Sequence, residues 1–220
     1  IRLQCDQPSL KTDSSNLVYR AAAAVLQQGG QTVGLDIRLT KRIPMGAGLG
    51  GGSSDAAATL VGLNRLCGWE WSEKELLAFA AQLGSDVPFF VLGGTAVARG
   101  RGEILTALPD APLLWLVVVK PEVGVSTGWA YNTLDSLPDR ASHRATKRME
   151  EALAENDLGR FLAWQSNDFE SVVFEHHKEL AWLHDELMMA GAQVAHLCGS
   201  GSVLYGVALN EEQAHKIAAL

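Results

Sequence analysis

The sequence predicts an α+β protein built from two units, residues 1–110 and 111–220. Three observations predict it. Strands and helices follow one another irregularly, without the strict alternation of a parallel βαβ sheet. Pro109 and Pro112 punctuate the chain near its midpoint. Each half carries its own glycine turn: five of the seven positions 46–52 are glycine, and Gly199-Ser200-Gly201 lies between two short apolar runs.

Taken in order, the chain opens in a short strand. Ser14 and Ser15 are candidate caps for a helix over residues 16–26, stopped by Gly29-Gly30. Residues 33–40 alternate apolar and polar, as a half-buried strand does. The glycine loop follows, then a helix over residues 53–66. Ser72 and Glu75 form a capping box for a helix reaching Leu83. Residues 84–88 read as a turn, and 95–99 and 103–107 as paired strands about Gly100-Arg101-Gly102. In the second half, 113–120 reads as a buried strand. Helices are expected at 126–134, 146–155 and 169–190, with Trp164, Phe174 and Trp182 as core anchors. Strands are expected at 194–198 and 203–207, and a final helix from Asn210.

Composition sets the outer bounds. With 220 residues, 47% hydrophobic and 20% charged, the chain is of ordinary globular character. A net charge of −7 argues against a nucleic-acid partner. The longest apolar run, residues 113–119, is strand-sized, so no membrane span is expected. Three cysteines without metal-ligand spacing fit a reducing compartment, and a cytoplasmic location, or the plastid stroma in a plant, is expected. The chain begins at Ile1 and ends in mid-helix at Leu220, which reads as a part of a longer protein.

The loop Pro44-Met45-Gly46-Ala47-Gly48-Leu49-Gly50-Gly51-Gly52-Ser53-Ser54 is the richest feature. Such a density of glycine costs backbone entropy and points to close approach of N–H groups to an anion. A glycine loop that opens a helix is a ready phosphate site. The Walker pattern fails, because Ser53-Ser54 stands where Lys-Ser/Thr is needed. Gly46, Gly48 and Gly51 satisfy G-x-G-x-x-G, but no second parallel strand with a ribose-binding acid follows. A bare glycine turn is the remaining alternative.

The pattern Pro-x-x-x-Gly-Leu-Gly-Gly-Gly-Ser-Ser-x-Ala-Ala resembles the phosphate loop of the GHMP kinases. Further segments extend that resemblance in order along the chain. They are Gly84-Ser85-Asp86-Val87-Pro88, Gly93-Gly94-Thr95-Ala96, Gly100-Arg101-Gly102-Glu103, Lys120-Pro121, Val125-Ser126-Thr127 and Cys198-Gly199-Ser200-Gly201-Ser202.

The resemblance implies a ribosomal-protein-S5-like first unit that binds ATP and a ferredoxin-like second unit. It implies ATP with Mg²⁺, and phosphorylation of an alcohol on a small-molecule substrate bearing a cytidine diphosphate group. Homoserine, mevalonate or sugar kinases of the same family are alternatives, as is a nucleotide-binding protein without catalysis. The loop would wrap the phosphates, with Ser53 and Ser54 reaching phosphate or Mg²⁺ or capping the helix. Asp86 would be the base, its other reading being a turn aspartate. Asn16, Leu17 and Lys41 would line the adenine; otherwise Asn16 starts a helix and Lys41 is a solvated strand end. Asp55 reads as a structural, first-turn carboxylate. Thr127 and Tyr131, four apart on one helix face, would meet the cytidine, or else cap and pack. The family's N-terminal lysine has no counterpart here, and Lys11 is not a substitute. His176, His177 and His184 read as a solvated face rather than a metal site.

Overall fold

A computed structural model describes residues 1–137 and 144–219. They divide into two compact units: Ile1–Met45 with Gly50–Ala107, and Gly46–Leu49 with Leu108–Leu220.

In the first unit, β1 (Arg2–Cys5) pairs in parallel with β2 (Asp36–Leu39), Leu3 lying opposite Ile37. The expected eight-residue strand at 33–40 is thus four residues long, because β1 offers only four partners. The crossover between them is α1 (Leu17–Gly29). Its cap is Asn16, whose Oδ1 accepts from Val18 N at 2.9 Å. Ser14 and Ser15 do not cap it; Ser15 Oγ instead donates to Asp13 at 2.6 Å. Those bonds hold the Asp13 carboxyl below its ordinary pKa.

Helix α2 (Gly51–Cys67) packs on α1 through small side chains. Ala21, Ala22 and Val25 bury against Ala56, Ala57, Leu60 and Leu63, spaced three and four apart as a buried stripe requires. Helix α3 (Glu73–Leu83) begins in the expected capping box, with Ser72 N donating to Glu75 Oε2 at 2.8 Å. The turn at 84–88 runs on into a short helix, α4 (Val87–Leu92), with Pro88 in its first turn. Six residues are too few to display a helical period, so the sequence pattern shows only the turn. Strands β3 (Thr95–Arg99) and β4 (Ile104–Leu108) form a two-stranded sheet.

The second unit is built on an antiparallel sheet in the order β5 (Trp115–Val119), β7 (Leu204–Ala208), β6 (Ala195–Leu197). Helices α5 (Thr127–Asp135), α8 (Glu170–His176), α9 (Lys178–Met189) and α10 (Glu211–Ala218) contribute to the core over one face. That face presents Val117, Leu197, Leu204 and Ala208. Helices α6 (Arg144–Ala154) and α7 (Leu158–Ala163) make a smaller cluster around Leu153 and Phe161.

Three expectations are corrected here, and one helix is added. Strand β5 is not buried throughout: Leu116 and Val118 alternate onto the opposite face and stay half exposed. The helix expected over 169–190 is two helices, because His177 leaves helical geometry (φ −122°, ψ 78°) and its N–H closes α8 on Val173 O. Trp164 and Trp182 are exposed, at 40% and 59%, and anchor no core. Helix α7 was not legible beforehand; Asp157 caps it by accepting from Arg160 N at 2.9 Å.

Candidate active site

The loop after β2 builds the most distinctive backbone in the molecule. Gly46, Gly48 and Gly50 all have positive φ (62°, 74° and 65°), which turns the chain back on itself before α2 starts. Helix α2 begins at Gly51, two residues earlier than expected, with Gly50 in the left-handed region at its N-cap. A side chain on Gly50 would come within 2.4 Å of the Phe90 ring. No side chain caps this end. Ser53 and Ser54 are therefore not N-caps; they lie inside the first turn, and Ser54 Oγ donates back to Gly51 O at 2.9 Å. The first N–H groups of the helix have no intrahelical acceptor, so this start, buried at Gly51 and without a side-chain cap, carries donors and a positive dipole end. Gly52 is exposed here.

Two predicted residues gather at that end. Leu17 lies 3.6 Å from where a Gly52 side chain would stand, and Lys41 Nζ 3.4 Å from the equivalent point at Gly51. Lys41 is not a solvated strand end: its side chain is 6% exposed and its ammonium pairs with Asp55 Oδ2 at 2.5 Å. Asp55 is correspondingly not a first-turn carboxylate, since α2 starts earlier; its work is to hold Lys41. Asn16 stands apart in role. Its Oδ1 caps α1 and its Nδ2 donates to Lys11 O at 2.7 Å, so both ends of the amide are engaged.

Asp86 precedes α4 and makes no capping hydrogen bond, which leaves an exposed carboxylate beside the β3–β4 hairpin. A side chain on Gly102 (φ 115°) at the hairpin tip would stand 3.6 Å from Ser85 O and 3.7 Å from Asp86 Oδ1. Glu103 folds onto its own backbone N–H and onto Arg101 N at 2.7 Å, and those backbone bonds hold its carboxyl below the usual range.

The second unit assembles the rest. Gly46–Leu49 groups with it, and Gly48 packs directly on the Cys198–Gly199 turn. A side chain at Gly48 would lie 1.9 Å from Cys198 O. Thr127 Oγ1 sits 3.0 Å from Ser200 Oγ, and the cap of α5 is Ser126, not Thr127. Tyr131, one turn on, is 53% exposed rather than core, with its ring edge-on to Phe169. It lines an open cavity of about 870 Å³ with Trp164, Gln165, Asn167, His196 and Tyr205. Burial pushes the Cys198 thiol up to about 11. Burial, then the Cys198 and Glu170 charges, pushes Tyr205 up to about 12.

Sequence reasoning missed Asn167 and Glu170, which hold the turn at Cys198 from about thirty residues away. It also gave Asp55 no partner. Among the described residues no group of three or more His, Cys, Asp or Glu is placed to hold a metal, and no helix is long and apolar enough to cross a membrane.

An uncapped glycine-rich helix start with an ammonium beneath it is the equipment of a phosphoryl-transfer protein. Comparison with known families agrees: residues 16–94 match the GHMP kinases N terminal domain, and residues 149–219 the GHMP kinases C terminal domain. The chain belongs to the GHMP kinases, which are ATP-dependent kinases of small molecules.

Among its relatives is the 4-diphosphocytidyl-2-C-methyl-D-erythritol kinase of Heliobacterium modesticaldum, 44% identical over 100% of this chain and 74% of that protein. The enzyme of the same name from Desulfitobacterium hafniense is 45% identical over 93% of this chain and 71% of its own length. A crystal structure of 4-(cytidine 5'-diphospho)-2C-methyl-D-erythritol kinase superposes with a TM-score of 0.78 at 37% identity, covering 99% of this chain and 76% of that one. A homoserine kinase from Cytophaga hutchinsonii superposes with a TM-score of 0.81 at 25% identity, over 98% of this chain and 75% of that one. Shape is shared across the family, whereas sequence falls nearer the first group.

Proposed function

We propose that this protein transfers the γ-phosphoryl group of ATP to the 2-hydroxyl of 4-diphosphocytidyl-2-C-methyl-D-erythritol, a step of non-mevalonate isoprenoid precursor synthesis. The observation that carries the proposal is the identity of 44% to such a kinase along the whole chain. The uncapped start of α2 gives it a physical basis.

When bound, ATP supplies the phosphoryl group, and Mg²⁺ shields its charge while keeping phosphate oxygens and water as ligands. The residues present fit a phosphate. Gly51, Gly52 and Ser53 offer backbone N–H groups, and the preceding glycines let Pro44, Met45, Ala47 and Leu49 fold around it. The Ser53 and Ser54 hydroxyls stand in the same turn. Lys41, held by Asp55, and Leu17 form the wall beside the helix start, where the adenine would lie; Asn16 fixes the end of α1 behind Leu17. Asp86 orients and accepts the proton of the substrate alcohol, a role open to a carboxylate that caps nothing. Tyr131 offers an exposed ring to the cytosine, and Thr127 a hydroxyl one turn away. We place the boundary between an ATP-binding domain and a C-terminal domain at residues 110 and 111.

Steady-state assays of the full-length protein with ATP test this. ADP release is expected with the cytidine-containing alcohol and not with homoserine or mevalonate. Release with homoserine and none with the cytidine substrate overturns the specificity. No release with any alcohol, with ATP still bound, leaves a nucleotide-binding protein instead.

A further inference from the structure

We propose that Asn167 is a positioning residue for nucleotide binding, acting through the Cys198–Gly201 turn on the Gly46–Leu49 part of the phosphate loop. The inference rests on the reading of that loop as the ATP site and adds the part that holds it in place.

Strand β6 is the outer strand of the sheet, so the backbone of Leu197 has one face without a strand partner. Two side chains from a single segment take that face. Glu170 Oε1 accepts from Leu197 N at 2.8 Å. Asn167 Nδ2 donates to Leu197 O at 2.9 Å and to Gly199 O at 2.8 Å. The Asn167 Oδ1 accepts from Phe169 N at 3.0 Å, so the amide is fixed in orientation. The side-chain NH₂ supplies two donors, one for each of the carbonyls that straddle Cys198. With Leu197 O and Gly199 O pinned, the intervening Cys198 O is held where it accepts from Gly201 N at 3.0 Å. That oxygen occupies the space a side chain on Gly48 would need, and Gly48 O in turn lies 3.6 Å from a Gly199 Cβ position. Backbone rests on backbone, with no flexible side chain between to absorb a shift. Displacing the turn displaces Gly48 with it, and with Gly48 the loop that would wrap the phosphates.

The substitution Asn167→Asp keeps the shape and turns two attractive contacts into repulsion with two carbonyls; Asn167→Ala removes them. Nucleotide affinity is read by calorimetric titration of full-length protein with ATP, beside Kd for the cytidine substrate and Tm. Leu187→Ala, a truncation in the buried core of the same unit, is the comparison for lost stability alone. Both Asn167 variants are expected to weaken ATP about tenfold or more and the cytidine substrate by a smaller factor, because Thr127 meets the same turn only through Ser200. Leu187→Ala is expected to lower Tm without moving the ATP Kd. Equal ATP affinity in wild type and both Asn167 variants overturns the inference, as does an equal loss of ATP affinity in Leu187→Ala. Wild-type protein that binds no ATP overturns the functional reading itself, a different result from either.

Discussion

The two glycine turns differ in where their polar groups go. The turn at 46–52 ends in a helix start whose N–H groups have no cap, beside a buried ammonium. The turn at 198–201 lies between two antiparallel strands, and the carbonyls of Leu197 and Gly199 on either side of Cys198 are tied by Asn167. One turn ends in donors that no side chain caps; the other has carbonyls tied to a side chain that fixes its shape. Glycine content alone does not separate a binding loop from a supporting one. Hydrogen-bond accounting does.

That contrast can be broken at its chemical end first. Asp86→Asn is expected to lower turnover by about 10²–10⁴-fold with ATP affinity retained; full turnover removes Asp86 from the reaction. Gly48→Ala forces a side chain into Cys198 O at a backbone φ of 74°, and ATP affinity is expected to fall about 100-fold in titration.

Asp55→Ala leaves Lys41 nearly buried without its partner, and a loss of about 3 kcal/mol is expected in denaturant unfolding. A loss close to zero means that Lys41 finds water. Tyr131→Ala is expected to raise KM for the cytidine substrate about tenfold with Tm unchanged, since the ring is half exposed.

The smallest effect is electrostatic. Burial pushes the Cys198 thiol up to about 11 and Tyr205 up to about 12, above their ordinary values of 9.0 and 10.0. Their neutral forms are favoured by folding, so this contribution is complete below pH 9 and is lost as pH rises through 11 to 12. Unfolding midpoints measured from pH 8 upward are expected to fall, and less so in Cys198→Ala.

Much of this was legible because its physics is local. The capping box at Ser72, the glycine loop and the strands flanking Gly199 each depend on residues within a few positions. Short elements were not: α4 and α7 have six residues each, too few to show a period. The start of α2 was misplaced by two residues because glycine is a poor helix former, and the uncapped end that results is a property of position rather than propensity. Lys41 with Asp55 and Asn167 with Leu197 and Gly199 are contacts across 14 to 32 residues. No spacing rule reaches them. The exposure of Trp164 and Trp182 depends likewise on what the fold leaves uncovered.

Amide hydrogen exchange of the full-length protein, with and without ATP and resolved to single residues, is the most direct test of the contrast. ATP is expected to slow exchange at Gly51, Gly52 and Ser53 strongly and to leave the already tied Leu197 amide unchanged. Exchange at Gly51–Ser53 that ignores ATP, under conditions where ATP is bound, contradicts the account.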